Sequence, residues 1–71
     1  MLHIRLDTLK DAKRLSEIAS GISDEHVTLT DNHGMLVNAK SILGVLGVLK
    51  YSDLWLNTSH YTVFRDFVVV E

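Results

Sequence analysis

Leu2, Ile4 and Leu6 alternate with His3 and Arg5, the period-two pattern of a strand with one buried face over residues 2–6. Thr8 then stands three residues ahead of Asp11, a spacing at which hydroxyl and carboxylate satisfy the open amides of a helix start. A helix is predicted from there. Its apolar residues Leu9, Ala12, Leu15, Ile18, Ala19 and Ile22 fall at spacings of three and four. Lys10, Lys13, Arg14 and Glu17 lie on the other side, and Gly21 suits a left-handed terminating residue. Alternation returns over residues 27–30, and Asp31-Asn32-His33-Gly34 supplies a tight reversal before residues 35–39, which predicts a β-hairpin.

Residues 42–49 form an uncharged run that pattern alone reads as strand or short helix. Helix is expected, because Ser41 caps it and Ile42, Val45, Leu46 and Leu49 share a face. Gly44 and Gly47 each weaken a helix by about 1 kcal/mol, so this one is expected to lean on tertiary contacts or to permit a close backbone approach. Leu54 and Leu56 point one way and Trp55 the other in a fourth strand over residues 54–58. Over residues 59–71 Tyr61, Phe64, Phe67 and Val68 have helical spacing while the valines favour strand. Helix is the expectation and strand the alternative. All five aromatics lie between Tyr51 and Phe67, so this end is expected to supply much of the core volume.

Seventy-one residues without a repeat, linker or proline predict one domain over residues 1–71, and the absence of cysteine excludes a disulfide framework. Seven basic residues scattered among nine acids, for a net charge of −2, argue against a nucleic-acid binder. The longest uncharged run falls short of a membrane span and no secretion signal opens the chain, so a cytoplasmic location is expected.

The segment Val37-Asn38-Ala39-Lys40-Ser41-Ile42-Leu43-Gly44-Val45-Leu46 resembles the stretch before and through the second helix of HPr, the histidine-containing phosphocarrier protein of the bacterial sugar phosphotransferase system. Val27-Thr28-Leu29-Thr30 resembles that family's second strand, and the register of Leu15, Ala19 and Ile22 the inner face of its first helix. The resemblance implies an α+β open-faced sandwich of βαββαβα order, a four-stranded antiparallel sheet with two to three helices on one face. It also implies protein partners. Phosphate-carrying members hold a histidine ahead of the first helix in a Gly-Leu-His-Ala-Arg-Pro type motif. Here the histidine position falls near Thr8 and the arginine near Lys10, with Asp11 where the proline belongs. Asp7 and Asp11 bring carboxylates to a helix end that would otherwise favour a phosphoryl group. A degenerate, non-enzymatic member is expected, with Thr8 a cap and Lys10 a solvated charge.

Ser41 aligns with a serine that a dedicated kinase marks in Gram-positive relatives. A helix cap is its plain role, and a regulatory phosphate is compatible with it, beside free amides and Lys40. Ile42, Leu43 and Leu46 match the part of the second helix that the family presses against partners, and an exposed remainder there would form a contact patch. His3, His26, His33 and His60 are separated by 23, 7 and 27 positions, which does not suit a structural metal, and no cofactor is expected. The expected function is a regulatory or docking module, the alternative a phosphocarrier that uses a non-standard histidine. A closing helix shorter than the family's leaves apolar surface, so self-association is expected, by pairing of the β-prone terminal segment or by burial of the uncovered patch.

Overall fold

The computed structural model describes residues 1–31, 33–49 and 53–69, so expectations resting on Asn32, Tyr51, Ser52, Val70 and Glu71 lie outside the described residues. Along the chain run β1 (Leu2–Ile4), α1 (Leu9–Ser20), β2 (Thr28–Asp31), β3 (Leu36–Asn38), α2 (Ile42–Val48), β4 (Leu54–Asn57) and a closing 3-10 helix (Tyr61–Phe67). The strands form one antiparallel sheet in the order β1-β4-β2-β3.

Register explains why one face of this sheet is dry. Ile4 pairs with Leu54, Leu2 with Leu56, and Leu29 with both Leu56 and Val37, so period-two alternation puts these side chains on a common face. They share a core with Ala12, Leu15 and Ala19 of α1, Val45 and Val48 of α2, and Phe64 and Phe67 of the closing helix. The helices therefore cover that face, in an α+β open-faced sandwich. The opposite face carries the row His3, Trp55, Thr30, Leu36, in which the His3 ring stacks on Trp55 at 5.1 Å and 14°.

Several local expectations change in the structure. The β1 ladder stops at Ile4, although the alternation runs on. Leu6 is buried, and the Arg5 amide donates to the Phe67 carbonyl at 3.0 Å rather than to β4. Gly21 ends α1 in a right-handed conformation (φ −75°), its amide shared between the Glu17 and Ile18 carbonyls, so no left-handed stop is needed. Leu9 faces solvent, because the buried stripe of α1 starts at Ala12. In the hairpin, Asp31 Oδ1 accepts the His33 and Met35 amides at 2.8 Å each and Gly34 takes the positive φ of 86° that the turn requires.

The closing segment satisfies both of its conflicting signals in succession. Phe64 and Phe67 bury from a 3-10 helix, then the chain extends. Val68 bridges Ile4, and the Val69 amide donates to the His3 carbonyl at 2.9 Å. Val68 and Val69 thus line the outer edge of β1 in their own chain. Among the described aromatics only Phe64 and Phe67 are core, since Trp55 is half-buried on the open face and Tyr61 is exposed.

Candidate functional site

Extended backbone at Thr8 (φ −136°, ψ 164°) makes it the N-cap of α1, its hydroxyl accepting the Asp11 amide at 3.2 Å. The Asp11 carboxylate turns back to accept the Asp7 amide at 3.2 Å, one residue ahead of the usual capping-box partner. Asp7 also stands 3.6 Å from the Arg5 guanidinium. The positive end of α1 is thus furnished with two carboxylates and a hydroxyl. Lys10 is exposed on the first turn, beside a shallow groove lined by Leu9, Lys13, Arg14 and Glu17.

Ser41 caps α2, accepting the Gly44 amide at 3.3 Å. What lets so short a helix sit here is Gly44: a Cβ at that position would lie 3.2 Å from the Asn38 carbonyl oxygen and 3.4 Å from Val37 Cβ, so α2 rests directly on β3. Lys40 is bound on three sides. Its ammonium donates to the Glu25 carbonyl at 2.8 Å and its amide to Asn38 Oδ1 at 2.9 Å, while its carbonyl accepts the Ser16 and Ser20 hydroxyls at 3.3 Å each. That ammonium is therefore directed to the α1–β2 loop.

The buried stripe of α2 is Val45 and Val48, with Leu49 half-buried. Ile42 and Leu46, which spacing puts on one face with Val45 and Leu49, are each 36 % exposed, and Leu43 is 80 % exposed. The cause is the contact at Gly44, which rotates the helix so that Val45 and Val48 point inward. Ile42, Leu43 and Leu46 consequently form an apolar surface, and Ile42 also borders an open groove of about 410 Å³ with Lys13, Ser16, Glu17 and Ser20 of α1.

The histidines belong to other places. His3 Nε2 is 2.9 Å from Asp53 Oδ1 and His60 Nε2 is 2.9 Å from Asp24 Oδ1. His26 is exposed between α1 and β2, and His33 lies in the hairpin turn. Among the described residues no group of three or more potential ligands converges as a metal would require, and no helix is long and apolar enough to cross a membrane.

One polar centre is absent from the sequence reading. The Glu25 carboxylate accepts the Thr58 hydroxyl, the Ser59 hydroxyl at 2.7 Å and the Ser59 amide at 2.9 Å. These donors, the Thr58 hydroxyl first, hold its carboxyl down from 4.5 to about 2, with a smaller push from the nearby His60. With Asp24 and His60 it ties the α1–β2 loop to the turn after β4. Thirty-three residues separate Glu25 from Thr58, so the only local signal was a Thr-Ser pair ahead of the closing helix.

The chain matches no family model, and neither the curated proteins nor the solved structures yield a match. What fold and surface define is a class, a small α+β open-faced sandwich with an apolar helix face and a carboxylate-lined helix start.

Proposed function

We propose that this is an HPr-like docking module of the phosphotransferase-system type that binds protein partners through Ile42, Leu43 and Leu46 and does not itself carry phosphate. The observation that carries the reading is Leu43, 80 % exposed between two partly exposed aliphatic neighbours on a helix that commits only Val45 and Val48 to the core. Solvating that much apolar side chain is costly, and a protein surface that covers it recovers the transfer free energy. Thr8 and Lys10, at the positions where a phosphocarrier would place histidine and arginine, support the non-catalytic half of the proposal: the one is a cap, the other an exposed ammonium. Ser41 is the candidate for regulatory phosphorylation, since a dianion there would stand at the rim of the same apolar surface. The bacterial cytoplasm suits such a role.

The alternative is a phosphocarrier with a displaced histidine, and His60 is the residue that favours it, as an accessible imidazole oriented by Asp24. Titrating isotope-labelled protein with the system's phosphoryl-donor protein tests the docking reading. Amide shifts centred on Ile42, Leu43 and Leu46, abolished by Leu43→Asp, are expected. Shifts centred on His60, or none at saturating donor, contradict it.

A further inference from the structure

The two edges of the sheet are finished differently. The outer edge of β1 is lined by its own chain, through the Arg5 and Val69 amides. At β3 the ladder to β2 uses the odd-numbered residues, as the bonds from Asp31 to Met35 and from Ala39 to Val27 require. Alternation then turns the backbone groups of Leu36 and Asn38 outward. The Asn38 carbonyl already accepts the Ser41 amide at 3.0 Å, and α2 closes that end through Gly44. At Leu36 no backbone bond from the described residues closes the edge.

Exposed apolar side chains gather at the same place. Leu36 is 64 % and Met35 48 % exposed, and residues 35–39 contain none of the charges or prolines that commonly blunt an edge strand. We propose that β3 pairs with β3 of a second copy, antiparallel, about a two-fold axis at Leu36, giving a continuous eight-stranded sheet.

The register is self-complementary. With Leu36 opposite its own copy, each Leu36 N–H meets the other Leu36 C=O, the bond pair of an isologous interface. Residue 38 then faces residue 34 of the second chain. That residue is Gly34, which has no side chain and no described atom within 4 Å of where a Cβ would stand, so the chain brings its least bulky residue to the end that α2 has narrowed. Met35 faces Val37 on the helix side, and the two Leu36 side chains meet on the open face. A slip by two residues would oppose Asn38, whose carbonyl is already engaged by Ser41, with a larger residue and separate the leucines.

Such a pairing buries little area, so a weak, concentration-dependent dimer is the form expected. The absence of cysteine gives it a clean test. Bond-paired antiparallel residues have Cα atoms about 5.5 Å apart, within disulfide range. Leu36→Cys is therefore expected to oxidise to a symmetric disulfide dimer at least about tenfold faster than Leu9→Cys, an exposed site on α1, because the paired edge raises the local thiol concentration. Equal rates overturn the proposal. Sedimentation of the unmodified chain supplies the second reading: an average mass rising above 8.0 kDa with concentration, and held there by Leu36→Lys, is expected. A mass fixed at the monomer value into the millimolar range, or one that rises equally in Leu36→Lys, contradicts it.

Discussion

Replacing each glycine of α2 by alanine separates the helical preference of the residue from the contact that places the helix. An alanine in a helix interior is favoured over glycine by about 0.8–1.0 kcal/mol. At Gly47, where a Cβ would meet nothing within 4 Å among the described residues, that gain stands unopposed. At Gly44 the same Cβ would lie 3.2 Å from the Asn38 carbonyl oxygen, itself held by the Ser41 amide, and 3.4 Å from Val37 Cβ. Backbone on a sheet edge yields less readily than a flexible side chain. Forced overpacking costs about 1–3 kcal/mol, which cancels or exceeds the helical gain. Gly47→Ala should therefore stabilise the protein, while Gly44→Ala should be neutral or destabilising by up to about 2 kcal/mol. In a domain of this size each kcal/mol moves the melting temperature by about 4–8 °C, so thermal unfolding followed by circular dichroism resolves the pair. Equal stabilisation by both substitutions would refute the claim that α2 is seated by its contact at Gly44.

Glu25→Gln should lower stability at neutral pH. The folded carboxyl titrates at about 2 against 4.5 for the free group, so its contribution is present above the higher value and lost as pH falls through the lower. Urea midpoints of the two proteins should converge on acidification toward pH 2, and a gap independent of pH would show that the charge is not what matters. Phe64→Ala, at a fully buried position, should cost about 3–5 kcal/mol, whereas Leu43→Ala should stay within about 0.5 kcal/mol. Comparable losses in denaturant titrations would mean that Leu43 is core. Thr8→Ala and Ser41→Ala should each cost about 1 kcal/mol as lost caps, with Lys10→Ala silent by the same assay. A silent Thr8→Ala would undo the capping assignment.

The element order was legible because each segment carried its own period and punctuation: Leu2/Ile4/Leu6, the Thr8–Asp11 start, the glycine at position 34, the Ser41 cap. What escaped was decided by contacts remote in sequence. The spacing of the aliphatics in α2 placed Ile42 on one face with Val45, Leu46 and Leu49, and it is the contact of Gly44 with β3 that seats α2 with Val45 and Val48 inward and leaves Ile42, Leu43 and Leu46 exposed. The end of the chain resolved a conflict between helical spacing and valine content by using both in turn, the second only because β1 offered an edge. Glu25 had no local signature, its donors lying beyond β4. Of the candidate site, the capping roles of Thr8 and Ser41 were readable from spacing, and the exposure of Leu43 required the fold.

Whether phosphate is ever carried decides between the docking module and the phosphocarrier. Incubation with phosphoenolpyruvate and the phosphotransferase system's phosphoryl donor, followed by acid-lability analysis and mass mapping, asks this directly. No acid-labile phosphate is expected on any of the four histidines under conditions that fully charge an authentic phosphocarrier. Stoichiometric phosphohistidine at His60, or at any of the other three, would contradict it.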